Sequence, residues 1–380
     1  IHLRYVTDNS LKNKEKRLDY IGRLIMDYLS NPNLNINIQK KLTLLLTCAK
    51  GLEYIVLDEI KSLYPELIVK EIIRGKLLVE LSVSLAQLFH LKCVDNIYLF
   101  ICKLHCGKTK KDLKMLCDEL RKIDLSIINR INNNCDKQQT IWVNASREGK
   151  HNFSRFDIEK SALNAFLGKK RFIEGKEEEH DMEFRIDLLG EEAIVSLKLT
   201  SSQFRFRSGY RNFSAGAIRP TIAHSMIWLS QPQKTDVFYD PCCGSGTIIC
   251  ERQFWVAKKI IGTDINIHAV AAAKKNVSSD VVVYQSDATK MRMKDKSVST
   301  IVSNIPWDVQ IKLDDIKQFY YDFLCEVKRV IKPNGKIILL TDKREELLQT
   351  CKLLELKCRE VTTLSLHGLQ PTIFEIVRDE

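Results

Sequence analysis

The chain has 380 residues, enough for two or three domains that each bury a core of their own. Hydrophobic residues make up 44% and charged residues 28% of it, an ordinary globular balance that excludes a fibrous or disordered chain. The net charge of +11 and the pI of about 9.0 favour a polyanionic partner, although a generally basic solvated surface reads the same way.

No apolar run reaches the length of a membrane span and no signal-peptide pattern opens the chain, so a cytoplasmic location is expected, with a nuclear one also open. The sequence starts at Ile1 rather than methionine, so a native N-terminus further upstream is expected, with any targeting signal it carries. The 12 cysteines are scattered and form no paired Cys-x-x-Cys sets, which predicts reduced thiols and no metal site.

Residues 1–40 read as a polar N-terminal extension with one amphipathic helix around Leu18–Leu29. Over residues 41–106 the pattern is β-α-β-β-α-β. It has apolar runs at Leu42–Thr47, Leu67–Ile73 and Leu77–Leu81, helical periods at Leu52–Ile60 and Leu85–Leu91, and a strand at Ile97–Cys102. This order predicts a ferredoxin-like unit.

Residues 107–200 predict a second α/β unit. A helical period runs through Leu113, Leu116, Leu120 and Ile123, and a strand at Thr140–Ala145 precedes a helix near Phe156–Leu167. Paired strands at Phe184–Leu188 and Ala193–Leu199 meet at Gly190. Arg147, Lys150, His151, Arg155, Lys169, Lys170 and Arg171 lie between and after these elements; they suit a phosphate-contacting face, or equally a solvated loop face. In the linker, residues 201–220, Arg205, Arg207 and Arg211 alternate with aromatic residues. That pattern fits RNA contact or a half-buried strand, and Arg219 closes the linker as a further RNA-facing candidate.

From 221 to 380 strands and helices alternate, as a doubly wound parallel sheet requires. The run Val237–Tyr239 enters Asp240-Pro241-Cys242-Cys243-Gly244-Ser245-Gly246-Thr247, followed by a helix over about Thr247–Lys258. Gly244 and Gly246 let the backbone approach a ligand at the strand-to-helix turn. A dinucleotide site would want a third glycine where Ile249 stands, and a P-loop would want a lysine after Gly246, where Thr247 stands. An acidic residue opening the loop suits a cationic amino-acid tail, such as that of S-adenosylmethionine, rather than a diphosphate.

Asp264 ends the next apolar run, eighteen residues after Gly246, within reach of ribose hydroxyls. Asp287 ends the run Val281–Ser286, either as an acceptor for an adenine amino group or as a turn cap. Cys242, Thr247, Ile265, Ala288 and Asn304 complete the candidate cofactor contacts.

The fourth strand, Ser299–Ser303, leads into Asn304-Ile305-Pro306-Trp307. An amino group on a purine is a poor nucleophile because its lone pair is delocalised. The Asn304 oxygen and the Pro306 carbonyl can orient it, and Trp307 offers a stacking face. The other reading is a turn with a buried ring. A helix through Ile316, Phe319, Tyr320, Phe323, Val327 and Val330 stops at Lys332-Pro333-Asn334-Gly335, and strand Lys336–Leu340 follows. Glu360–Leu366 and Thr372–Val377 stand five residues apart, too close for a crossover helix, so they predict a hairpin.

With both halves in view, the chain resembles the THUMP-domain RNA guanine-N2 methyltransferases over Leu42 to Val377. The features are Gly51-Leu52-Glu53, Val83-Ser84-Leu85-Ala86-Gln87, Val94-Asp95-Asn96, Gly209-Tyr210-Arg211, Ile218-Arg219-Pro220-Thr221 and the Asp240 and Asn304 motifs. The resemblance implies an N-terminal ferredoxin-like platform, a THUMP α/β domain and a C-terminal Rossmann-like class I methyltransferase domain. The first two would hold a tRNA acceptor end. The third would use S-adenosyl-L-methionine to methylate guanosine N2, at position 6.

Guanine N2 of another RNA (rRNA, snRNA or tRNA position 10), an adenine N6 or glutamine amide acceptor, and an RNA-binding protein with an impaired methyl site are the other readings. The last rests on Asp308, where the family carries glycine, while Trp307 replaces its Tyr or Phe. Eukaryotic members imply a small activator subunit, and the apolar strand Val281–Tyr284, expected at the sheet edge, suits strand addition by such a partner.

Overall fold

The computed structural model describes residues 27–31, 33–35, 40–129, 131–132, 137–207, 216–307, 315–366 and 368–378. They fall into two compact units. One holds the described residues of 20–47 and 60–208, and the other holds Cys48–Glu59 together with the described residues from 209 onward.

The first unit is built on one eight-stranded sheet. In chain order its strands are β1 (Lys40–Thr47), β2 (Ile68–Ile73), β3 (Lys76–Val83), β4 (Asn96–His105), β5 (Gln139–Glu148), β6 (Phe172–Glu174), β7 (Met182–Leu189) and β8 (Glu192–Lys198). In space they run β2-β3-β1-β4-β8-β7-β5-β6. Antiparallel pairing of β4 with β8 makes the strands of 41–106 and those of 107–200 one sheet.

Its two long helices, Lys110–Lys122 and Arg155–Leu167, each open on a capping box, Thr109 with Asp112 and Ser154 with Asp157. The first buries Leu113, Leu116 and Leu120, and the second buries Ile158, Ala162 and Phe166. The helix expected near Leu85–Leu91 is a single turn, Leu85–Leu88.

The described part of the alternation, Phe204–Arg207, does not form a strand. Ser201 accepts a hydrogen bond from the Gln203 amide and starts a short helix, Ser202–Phe206, which ends at Arg207 in the left-handed region with φ 58°. The Phe204 ring is buried 5.6 Å from Tyr28 and 6.0 Å from Phe89, so it serves the core rather than a base stack. Arg211 lies outside the described residues.

The second unit is the doubly wound sheet. Its strands are β9 (Val237–Asp240), β10 (Lys259–Asp264), β11 (Val282–Gln285), β12 (Val298–Asn304), β13 (Ile331–Thr341), β14 (Lys357–Thr363) and β15 (Thr372–Val377), in the order β11-β10-β9-β12-β13-β15-β14. Strands β9 to β13 are parallel and β15 runs antiparallel to both its neighbours, which is the expected late hairpin. The order reverses between β9 and β12, and crevices for ligands open at the carboxyl ends of strands at such a point.

The helix Ile316–Val330 lies where its periodicity predicts and buries Tyr320, Phe323, Leu324 and Val327 against Ile301, Ile337, Leu339 and Phe374. Strand β13 begins earlier than Lys336 because Pro333-Asn334-Gly335 is absorbed as an irregularity within it, with Asn334 at φ 60°. Segment Cys48–Glu59 joins this unit through Gly51, whose carbonyl accepts a 2.7 Å bond from the Thr362 hydroxyl. A Cβ at Gly51 would stand 2.4 Å from the Thr363 carbonyl oxygen, and φ is +108°, so only glycine fits there. Among the described residues no helix is long and apolar enough to cross a membrane.

Candidate active site

Asp240 ends β9 and is almost completely buried. Its Oδ1 accepts hydrogen bonds from the Ser303 hydroxyl (2.7 Å) and the Cys242 amide (3.2 Å), while Oδ2 is buried with no partner among the described residues. Burial raises its pKa to about 7, against the Ser303 and Cys242 hydrogen bonds that lower it; the neighbouring Asp264 charge adds to the rise. The Cys242 and Cys243 thiols are pushed well above their ordinary range by burial and then by the Asp240 and Asp264 carboxylates, so they stay neutral and are not thiolate nucleophiles.

Gly244 and Gly246 both hold positive φ, 52° and 90°, and the Gly246 amide closes the turn on the Cys243 carbonyl at 2.8 Å. Thr247 is buried at the start of the helix that follows. That helix ends at Arg252 rather than Lys258. The Arg252 guanidinium is fully buried, 3.0 Å from Asp236, and donates to the Trp255 and Gln233 carbonyls, which fold the chain back. The close helix-to-strand packing that a third glycine would provide comes from Gly262 on β10. A Cβ there would lie 2.8 Å from Ile249 Cδ1 and 3.2 Å from Cys243 Sγ.

Asp264 ties β10 to this loop: Oδ2 accepts from the Gly244 amide at 2.8 Å and Oδ1 from the Asn266 amide at 2.9 Å. Each oxygen keeps a second lone pair for a ligand. Ile265 is 67% exposed and Ala288 is buried. The Asp287 Oδ1 caps its own turn, accepting from the Thr289 amide (2.8 Å) and hydroxyl (2.7 Å), as the turn-cap reading expects. Beside it, the Ser286 hydroxyl is buried with no partner among the described residues. Neither Ser286 nor Ser303 stands out in the sequence, because a serine at a strand end has no periodicity or spacing to mark it.

Asn304 ends β12, the strand paired with β9. Its Nδ2 donates to the Gly216 carbonyl at 3.4 Å, and its Oδ1 is buried with no partner among the described residues. The Pro306 carbonyl accepts a 3.0 Å hydrogen bond from the Tyr320 hydroxyl, which occupies one of its two lone pairs. Trp307 keeps a partly exposed ring, pinned at its edge by a 3.2 Å bond from Nε1 to the Leu340 carbonyl. Asp308 lies outside the described residues.

The basic candidates separate into two groups. Arg147, Lys150 and Arg155 lie at the carboxyl end of β5 and just beyond it; Lys150 and Arg155 are exposed, and Arg147 donates to the His151 carbonyl at 3.0 Å. Lys169, Lys170 and Arg171 lie at the opposite end, where the Gln139 amide at the start of β5 bonds the Arg171 carbonyl at 2.9 Å. A strand of ten residues spans roughly 30 Å, so the two groups do not form one face.

Lys169 caps the helix Lys110–Lys122, donating to the Arg121 and Ile123 carbonyls, and Arg171 donates to Asn129 Oδ1 at 2.7 Å. Arg207 is withdrawn from any phosphate: it is buried and donates to the Phe204 (2.8 Å) and Lys92 (2.6 Å) carbonyls. Arg205 stacks 4.5 Å from the Phe206 ring, and Arg219 immediately precedes the helix Pro220–Leu229.

Residues 208–372 match the family described as UPF0020, RMKL-like, methyltransferase domain. The chain carries a methyltransferase domain. It is 24% identical over 288 residues to a tRNA (guanine(6)-N2)-methyltransferase of Methanocaldococcus jannaschii, covering 63% of this chain and 76% of that one. To the tRNA (guanine(6)-N2)-methyltransferase of Thermus thermophilus it is 22% identical over 340 residues, 86% of this chain and 97% of the relative. The mouse tRNA (guanine(6)-N(2))-methyltransferase THUMP3 is 28% identical over 184 residues, which are 43% of this chain and 36% of the mouse protein. Among solved structures, TrmN from Thermus thermophilus superposes with a TM-score of 0.72 at 21% identity, over 89% of this chain and 99% of that one. That likeness shows a shared fold across both units.

The methyl donor of the methyltransferase domain is S-adenosylmethionine. It carries an ammonium group, ribose hydroxyls and an adenine amino group, all donors. The strand ends present acceptors: Asp240 Oδ2, Asp264, the Ser286 hydroxyl and Asn304 Oδ1, three of them buried without a partner among the described residues. Buried polar atoms are ordinarily paired, so this acceptor set fits a donor-rich ligand.

Proposed function

We propose that this protein transfers a methyl group from S-adenosylmethionine to N2 of a guanosine in tRNA, at position 6 of the acceptor stem. The observation that carries the reading is the placement of Asp240 and Asn304 at the ends of adjacent parallel strands, joined through Ser303, each with a buried acceptor oxygen that has no partner among the described residues.

The donor's sulfonium supplies a good leaving group, so the protein's work is orientation. Asn304 Oδ1 accepts one N–H of the guanine amino group and aligns it, and the Trp307 face holds the base in plane. Asp240 holds the ammonium of the donor, Asp264 the ribose, and Ser286 with Asp287 the adenine edge. A stem guanine must first leave its pair, and the exposed Arg147, Lys150 and Arg155 supply phosphate contacts for the RNA. Position 6 is supported by the names of the relatives above. A bovine relative named U6 snRNA (guanine-N(2))-methyltransferase THUMPD2 is 31% identical over 130 residues, only 25% of its own length, so snRNA is the second substrate to test.

Strand β11 lies at the sheet edge. Val281 and Val283 turn inward, while Val282 is 37% exposed. This supports strand addition by a small activator subunit. A chain that is monodisperse and fully active alone, and indifferent to Val282→Lys, rules the subunit out.

The functional test is incubation with labelled donor and either total tRNA or U6 snRNA, followed by nucleoside mass spectrometry and mapping of the modified position. N2-methylguanosine at tRNA position 6 is the expected product; its absence from tRNA overturns the reading.

A further inference from the structure

Tyr320 is fully buried in the apolar core under the helix Ile316–Val330, yet its hydroxyl is fully employed. The Lys343 amide donates to Thr341 Oγ1 at 3.0 Å, and the Thr341 and Tyr320 hydroxyl oxygens lie 2.5 Å apart. A carbonyl can only accept, so the Tyr320 proton is committed to Pro306, 3.0 Å away, and Thr341 is the donor between the two hydroxyls. The chain of donors therefore has one direction and ends on the turn that follows Asn304. The same end of β13 grips that turn a second time, since the Leu340 carbonyl accepts from both the Ile305 amide and Trp307 Nε1, each at 3.2 Å.

We infer that Tyr320 is a positioning residue for methyl transfer: by holding the Pro306 carbonyl it fixes the peptide plane between Pro306 and Trp307, and so the plane on which the base stacks. The inference rests on the functional reading above and adds a residue remote in sequence from both motifs. A free peptide plane at this point rotates the Trp307 backbone and lets the base tilt, which takes the amino group off the line of attack. Phenylalanine would fill the same volume, so the hydroxyl is the part at issue.

The test compares Tyr320→Phe, Thr341→Val and Thr341→Ser with the unaltered full-length chain. Turnover and KM are measured for S-adenosylmethionine and tRNA at a temperature where circular dichroism shows all four folded. Tyr320→Phe is expected to lower kcat on the order of tenfold with both KM values within about twofold, because misplacement of about an ångström costs turnover rather than affinity. Thr341→Val, which loses the donor behind Tyr320, falls in the same direction, and Thr341→Ser, which keeps it, retains turnover. Should Tyr320→Phe fail to fold, the Thr341 pair decides alone. Unchanged kcat in Tyr320→Phe, a loss expressed only in KM, or equal activity of Thr341→Val and Thr341→Ser overturns the inference while leaving the functional reading intact. An unaltered chain that methylates no RNA overturns both.

Discussion

The Ser303 hydroxyl on β12 donates a 2.7 Å hydrogen bond to Asp240 Oδ1 on β9, one residue before Asn304. The two motifs are thus coupled across the point where the strand order reverses. Ser303→Ala removes a donor that stabilises the ionised carboxylate, so the Asp240 pKa rises above about 7. At pH 7 the variant should bind S-adenosylmethionine several-fold more weakly, as read by isothermal calorimetry, with little change in fold by circular dichroism.

With the donor's ammonium beside Asp240, as proposed, cofactor binding should depend on pH with a definite sign. The Asp240 pKa is raised from 3.8 to about 7, so the folded state holds the proton more tightly than the unfolded chain does. Its contribution to stability is present below about 4 and is lost as pH climbs to 7. An ammonium placed beside the carboxylate favours the charged form, so affinity for S-adenosylmethionine should tighten as pH rises through 7. Asp240→Asn should abolish that dependence and weaken binding on the order of tenfold or more. Without cofactor, its melting temperature at pH 8 should equal or exceed that of the unaltered protein, since a buried charge has been removed.

Gly262 is predicted to be intolerant of even one methyl group. Its Cβ would press on Ile249 Cδ1 and the Cys243 side chain, which hold the glycine loop and its helix against β10. Gly262→Ala should destabilise the protein by about 1–3 kcal/mol through overpacking. It should also raise KM for the cofactor, because Cys243 lies in the loop itself. Thermal melting and steady-state kinetics on one preparation check both.

Much of this site was legible because its signals are local. The loop Asp240–Thr247 and the strand end at Asn304 are runs of neighbouring residues whose spacing predicts a ligand turn, and the helix Ile316–Val330 has an unbroken 3.6-residue period. What escaped the sequence depends on contacts between distant segments. Gly262 supplies packing room that a dinucleotide motif places on the helix, and Tyr320 reads as one more core residue until its hydroxyl is seen to reach Pro306. The alternation that begins at Phe204 left strand and RNA contact open because alternation alone does not choose a conformation; over Phe204–Arg207 the Ser201 cap and the pocket formed by Tyr28 and Phe89 chose a helix.

The same distinction sorts the arginines. Arg207→Ala should lower the melting temperature, because two carbonyls lose a buried donor. It should leave the salt dependence of RNA binding unchanged. Replacing Arg147, Lys150 and Arg155 together by alanine should weaken tRNA binding and reduce the slope of log affinity against log salt by about one unit per lost phosphate contact. Filter binding at several salt concentrations separates the two outcomes.

The most direct measurement is nucleoside mass spectrometry of tRNA treated with S-adenosylmethionine and either the unaltered protein or Asn304→Ala. The account predicts N2-methylguanosine at position 6 with the unaltered protein, and a loss on the order of a hundredfold or more in Asn304→Ala at unchanged tRNA affinity. Full N2-methylguanosine formation by Asn304→Ala, or a methylated product at an adenine instead, would contradict it.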